Sequence, residues 1–415
     1  MKKQNSGKWK TTIPGLISFA LLTAILIFPM ESYQSALAGL NIFLQSVFPA
    51  LLPFFIVSEI MTGLGVVDFL SVLLNPIMRP LFRCPGSSSF IWIMSMMSGY
   101  PTGARLTAMF CKEKRITACE AQRILSFCST SGPLFMIGAV AIGMMGTKEG
   151  GLVLLISHYL SAFLLGLCFR SYRCREDSFQ KHKRLRVKHH FNDPGEGRGL
   201  RFALSALDDA RRKDGRPVGQ LMGDAVRNSV NTLLVVGGFI ILFSVAIDLL
   251  MRLQIIDRMA SLAAIPMKLF SIEPSLLRAI TGGLFEVTTG SKLVSKTAVT
   301  MQAKIAGVSF LIGWSGLSIH AQSASLLSGT GVNISIYTFG KLLHGILAAV
   351  ISLPLTRLLY PEALEAATYT FPPTSSIRWK DVFLRSTHLS IIALLTLTLL
   401  AVLSYAWLRI RKRSL

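Results

Sequence analysis

The sequence predicts an all-α polytopic membrane protein, built as an inverted structural repeat with two re-entrant, broken-helix hairpins. Three observations carry that expectation. Of 415 residues 51% are hydrophobic and only 15% charged, whereas a soluble globular domain carries about 25% charged residues. Too few polar side chains are present to cover a water-facing protein of this size, which excludes an ordinary cytosolic enzyme. Apolar runs of bilayer-spanning length, about 20 residues, recur along the chain. The formal net charge is +22, and its cations collect beside the apolar runs, as the positive-inside rule expects of cytoplasmic loops. That placement accounts for the basic character without nucleic acid, and the lipid bilayer is the first expected partner.

Lys2, Lys3, Lys8 and Lys10 precede an apolar run from Ile13 to Pro29. Residues 1–40 are therefore read as a signal-anchor helix with a cytoplasmic N-terminus; Ala36-Leu37-Ala38 also fits a signal-peptide cleavage pattern. Residues 41–170 are the first membrane repeat, with apolar segments at 41–63, 86–110, 122–145 and 151–170. Arg79 and Arg83 lie before the 86–110 segment, and Lys112, Lys114 and Arg115 after it. Both ends then belong inside, which predicts a re-entrant hairpin broken at Ser98-Gly99-Tyr100-Pro101-Thr102-Gly103. Broken backbone at membrane depth is tolerated only where protein or a water-filled cavity satisfies it.

Residues 171–226 form a basic linker, with 13 Lys/Arg between 171 and 217. Its Asp193-Pro194-Gly195 and Asp214-Gly215-Arg216-Pro217 turns predict a mobile cytoplasmic segment close to anionic lipid. Residues 227–360 are the second membrane repeat, with segments at 228–250, 276–299, 305–327 and 334–357. Residues 361–415 supply a last helix at 386–408 and a cytoplasmic tail carrying Arg409, Arg411, Lys412 and Arg413.

The two membrane units repeat in order. Thr102-Gly103-Ala104-Arg105-Leu106 matches Thr289-Gly290-Ser291-Lys292-Leu293, and Ser131-Gly132 matches Ser315-Gly316. Pro76 and Pro85 likewise match Pro266 and Pro274. Counting crossings from an inside N-terminus starts the two copies on opposite sides, so the second hairpin opens outside. Arg252, Arg258, Lys268 and Lys296 then lie outside, against the usual bias. Inverted repeats with discontinuous helices are the architecture of secondary transporters, with the substrate held between the copies near the midplane.

Candidate substrate-binding residues are those of the two breaks: Thr102, Gly103, Arg105, Ser131 and Gly132, and Thr289, Gly290, Lys292, Ser315 and Gly316. A cation inside a membrane segment costs about 2.5–3.5 kcal/mol on insertion scales. Arg105 and Lys292 should therefore have a use, and half-helix N-termini favour negative charge, so a small anion is the expected substrate. Snorkelling or structural pairing of these cations is the alternative reading. Glu286 and His320 are the candidates for a coupling ion, proton or sodium, and a homo-oligomer is a further partner this architecture accommodates. Glu59 reads as interfacial. The cysteines Cys84, Cys111, Cys119, Cys128, Cys168 and Cys174 form no CxxC pair and read as reduced. No GxxxxGK[ST], HExxH or GxSxG motif occurs, so no metal, cofactor or enzymatic activity is expected. Ser131 with His158 or His320 could be imagined as a hydrolase, but nothing in the sequence fixes their geometry.

The ordered motifs Phe48-Pro49-Ala50-Leu51-Leu52-Pro53-Phe54, Ser98-Gly99-Tyr100-Pro101-Thr102-Gly103-Ala104, Ser129-Thr130-Ser131-Gly132-Pro133, Thr289-Gly290 and Trp314-Ser315-Gly316-Leu317-Ser318 resemble those of the YlbJ (SpoVV) type of sporulation integral membrane proteins. That group sits in the nucleoside-recognition, or Gate, superfamily, which is similar to concentrative nucleoside transporters. The likeness covers about residues 10–360. It implies a transporter in the outer forespore membrane that moves dipicolinic acid from mother cell to forespore. A nucleoside permease, or a structural membrane protein of the developing spore, are the alternatives it leaves.

Overall fold

The computed structural model describes residues 5–172, 199–267 and 272–361, and every element in them is helical. The chain opens with α1 (Asn5–Ile27) and α2 (Pro29–Ile42), which meet at a bend of 107°. Pro29 begins α2, where its missing N–H costs nothing. α2 continues through a π-helical turn (Phe43–Val47) into α3 (Phe48–Gly63). The expected boundary at residues 40 and 41 thus falls inside a continuous helical path. α3 then turns by 83° into α4 (Val66–Phe82).

α4 is a helix the sequence reading lacked; its apolar run is interrupted by Asp68, Asn75 and two prolines, Pro76 and Pro80, that sit inside it. α5 (Ser88–Ser98) and α6 (Thr102–Lys112) are the arms of the first expected hairpin. α7 (Ala118–Cys128) starts at a reciprocal cap: Thr117 Oγ1 accepts from the Glu120 N–H at 3.0 Å, and Glu120 accepts from the Thr117 N–H at 2.8 Å. A wide π-type helix (Leu134–Met144) follows, then α8 (Glu149–Phe169).

The expectation of one crossing over 122–145 is corrected here. Ser129-Thr130-Ser131-Gly132-Pro133 breaks it, since Pro133 cannot donate to the preceding turn.

The linker is corrected too. Residues 173–198 lie outside the described residues, but Leu200–Asp214 form a helix, α9, and Val218–Arg252 a 35-residue helix, α10. Ala203, Leu207 and Ala210 recur at helical spacing, and α9 lies along α4. α10 runs unbroken through residue 227, where the second repeat is expected to begin. α11 (Ile255–Met267), α12 (Pro274–Gly283), α13 (Val287–Ser295), α14 (Met301–Trp314), α15 (Gly316–Leu326) and α16 (Ile334–Leu359) complete the described chain. The expected crossing at 305–327 is broken at Ser315, whose φ is +72°. The expected helix at 386–408 lies outside the described residues.

By length and composition α8, α10 and α16 can each cross a membrane, and the bent α1–α2 and α3–α4 pairs are apolar enough to count as one broken span or one re-entrant loop each. Two similar successions of helices occur along the chain: a short-helix pair (α5–α6, α12–α13), a second broken helix (α7 with the wide helix, α14–α15) and a long helix (α8, α16). The long helices pack on each other, and α10 lies against α2 and α3. One apolar cluster gathers Phe82, Phe90, Phe110 and Phe127 of the first half, with Phe82 stacked on Phe127 at 4.1 Å. A second mixes Met136, Val140 and Val153 with Ile305, Val308 and Leu311, so the two halves share a core.

Candidate functional site

The breaks cross in pairs. Gly99, at φ +82°, ends α5 against the 129–133 break, and a Cβ there would stand 2.5 Å from the Gly132 nitrogen. Only glycine meets both demands. Gly316, at φ +80°, meets the α12–α13 break, where a Cβ would stand 3.1 Å from the Glu286 Cα. There the broken backbone satisfies itself: Leu317 N–H donates to the Leu284 carbonyl at 2.8 Å and Ser318 N–H to that of Phe285 at 2.9 Å. Trp314 Nε1–H also donates to Leu284, at 2.9 Å. Gly103 packs against the Cys128 carbonyl and Gly290 against Gly283, so both Thr-Gly motifs serve close helix approach. Thr102 accepts from the Ser98 hydroxyl at 2.7 Å.

The charged residues next to these breaks have separate fates. Arg105 is buried and donates to Glu59 of α3 at 2.6 Å, with its guanidinium 4.7 Å over the Phe55 ring. Glu59, read as interfacial from the sequence, also accepts from Asn228 of α10 at 3.2 Å. Lys292 is exposed. Glu286 caps α13, accepting from the N–H groups of Thr288 at 2.8 Å and Thr289 at 2.6 Å. The anion-favouring N-terminus at Thr289 therefore already holds a carboxylate, the protein's own. His320 has both ring nitrogens partnered, to the Trp314 carbonyl at 2.8 Å and Thr338 Oγ1 at 3.3 Å.

Around the 129–133 break the structure assembles a polar cluster that the sequence reading did not anticipate. Ser131 N–H donates to His158 Nε2 at 2.9 Å, while the Ser131 carbonyl accepts from Tyr159 at 3.0 Å. Because a backbone N–H occupies His158 Nε2, that nitrogen is not a base for the Ser131 hydroxyl. Lys341 of α16, 3% exposed, donates to the Ser129 carbonyl at 2.8 Å and lies 3.4 Å from His344 Nδ1. His344 Nε2 in turn meets the His158 carbonyl at 3.0 Å, and the two imidazoles stand 4.5 Å apart. A carbonyl only accepts, so His344 carries its proton on Nε2 and offers a lone pair to Lys341. Tyr337 bridges Ser129 and Ser323, at 2.9 and 3.1 Å.

Among the described residues no carboxylate pairs with Lys341. A signal for it was present in the sequence: Lys341 and His344 lie three residues apart within a long apolar run, and an ionisable residue there is a functional candidate by default. No motif repeats around them, which is why a search for repeats passes over both. No group of three metal-ligating side chains occurs among the described residues.

A family model described as "Nucleoside recognition", Gate, matches residues 44–148, which include the first hairpin and the 129–133 break. The sporulation integral membrane protein YlbJ of Bacillus subtilis is 40% identical over 388 residues, 93% of this chain and 93% of that protein. An uncharacterized protein of Alkalihalophilus pseudofirmus is 27% identical over 166 residues, 39% of this chain and 34% of that protein.

Proposed function

This chain belongs to the family of the sporulation integral membrane protein YlbJ, and from that premise we propose that it is an inverted-repeat transporter of a small organic anion. The observation that carries the reading is the pair of crossed helix breaks, one in each half, set against the two long helices α8 and α16. Crossed, discontinuous helices are what secondary transporters use to hold a substrate between repeats. The repeat gains support from His158 and His344, which stand 186 residues apart in sequence and whose tilted rings lie 4.5 Å from each other. That spacing falls within the offsets of the sequence motifs, as expected of equivalent positions beside a pseudo-two-fold axis.

The anionic class follows from the balance of charge at the breaks. Glu286 is spent on its helix cap and Lys341 has no carboxylate partner among the described residues, so the centre favours negative charge. Thr102, Gly103, Ser131, Gly132, Thr289, Gly290, Ser315 and Gly316 shape the binding region. Arg105 holds α6 to α3, and Lys292 lies outside the centre.

The membership and the charge together make dipicolinic acid the favoured substrate, carried from mother cell to forespore through the outer forespore membrane, with cytoplasmic termini. Deleting the gene, inducing sporulation and assaying dipicolinate in mother-cell lysate and purified spores tests this. Accumulation in the lysate with depleted spores is expected; normal spore dipicolinate would overturn it.

The nucleoside-recognition match favours a second reading, a nucleoside permease. A nucleoside site needs neutral donors and acceptors, so competition by unlabelled adenosine or uridine in a vesicle uptake assay would select it.

A further inference from the structure

We propose that Lys341 is the cation that binds a carboxylate of the transported anion, that Thr130 and His158 are the neutral donors beside it, and that the cleft between α7 and α16 is its access route. The inference rests on the reading of the chain as an anion transporter.

Lys341 sits at the C-terminal end of α7, where the Ser129 carbonyl and the negative end of the helix dipole stabilise its ammonium. Its other near neighbours are neutral: the His344 lone pair and the Tyr100 ring, whose centroid is 5.6 Å away. Dipoles hold the charge without cancelling it, so a carboxylate can replace the Ser129 carbonyl as its partner and gain a charge-assisted bond.

Two further polar atoms of this region are buried and have no partner among the described residues: Thr130 Oγ1 and His158 Nδ1. Both side chains are 1% exposed. Since His158 Nε2 accepts the Ser131 N–H, the neutral ring carries its proton on Nδ1 and is an unmet donor. Unmet buried donors are expensive, and together with an uncompensated ammonium they describe a place for an oxygen-rich anion.

The cleft supplies the path. Gln122, Leu125 and Ser126 of α7 face Ile336, Tyr337 and Gly340 of α16 across it, and Lys341 lies in its lining beside Phe169, where α8 ends and the basic segment begins. It has room for about one water, so passage of a flat dicarboxylate requires α7 and α16 to part.

The test uses the full chain, purified and reconstituted, with radiolabelled dipicolinate as the probe. Lys341→Met removes the charge without leaving an unpaired donor. It should weaken dipicolinate binding about tenfold or more, while Lys341→Arg retains part of the affinity. Ser126→Trp, which fills the cleft without touching the charge, should slow uptake. In wild-type protein carrying 15N-lysine, dipicolinate should shift one buried Nζ resonance and adenosine should not, a readout that needs no variant to fold.

Wild-type binding of dipicolinate with equal affinity in Lys341→Met, or with no lysine resonance shifted, would overturn the assignment and leave the transporter reading standing. Wild-type protein that binds adenosine but no dipicolinate would overturn both.

Discussion

The two Thr-Gly motifs are nearly the same in sequence, yet the protein handles their charges in opposite ways. At the first, Arg105 turns inward and is neutralised by Glu59 from α3, a helix outside the hairpin. At the second, Lys292 is exposed, and the charge at the break is the Glu286 carboxylate capping α13 from within the hairpin. What the two motifs share is therefore the backbone break, with a helix restarting at close approach to a neighbour. The charge is local furniture, adjusted to whatever packs on each copy. Lys341, a buried cation with no carboxylate partner among the described residues, lies elsewhere, on α16, where no motif repeats.

That contrast can be broken or sharpened by substitution. The largest effect is expected from Glu59→Gln, which strands the buried Arg105 charge and should cost about 3–5 kcal/mol. A large fall in the thermal midpoint in detergent would register it. Glu59→Met combined with Arg105→Met should recover most of the loss, whereas Lys292→Gln should change stability by less than about 0.5 kcal/mol. Equal effects at Arg105 and Lys292 would erase the distinction between the copies.

Next come the crossings. Gly99→Ala and Gly316→Ala each force a side chain into a left-handed backbone, about 1–3 kcal/mol of strain, and add overlap with the crossing strand of chain. Similar losses at both positions, read from the same melts, would support a shared architecture; a silent Gly316→Ala would separate them.

Glu286→Gln weakens a helix cap and should cost about 1 kcal/mol, with faster amide exchange at Thr288 and Thr289 as its local signature. Unchanged exchange there would mean that the capping carboxylate does not hold the second break.

The smallest effect lies outside the membrane segments, at the α9–α10 junction. Hydrogen bonds from Arg216 hold the Asp214 carboxyl below its ordinary range. A depressed carboxylate contributes stability above its unfolded pKa, about 3.9, and loses it as pH falls through the lower folded value. Protease resistance at Gly215 should therefore persist at neutral pH and decline only in acid, and Asp214→Asn should abolish that dependence.

The helical class, the membrane setting and the position of the first break were legible because they depend on composition and on local backbone chemistry. Apolar length, flanking cations and Gly-Tyr-Pro act over a few residues, and a linear reading captures them. The break at Ser315 was only half legible: the Ser-Gly pair repeats, but a serine gives no notice that it will adopt a left-handed conformation until Gly316 must fit against Glu286. α9 escaped notice because a short face of Ala203, Leu207 and Ala210 is weak by itself and is completed by α4. Its neighbour α4 was hidden by Asp68, Asn75 and internal prolines.

By itself the sequence determined a polytopic helical chain with glycines at its helix breaks, because spacing and residue type fix those features before any contact forms. Only the tertiary structure decided which charges are spent and which remain. Arg105 and Glu59 stand 46 residues apart, and Lys341 and Ser129 stand 212 apart. Whether a buried charge is compensated depends on partners that arrive only when the helices pack.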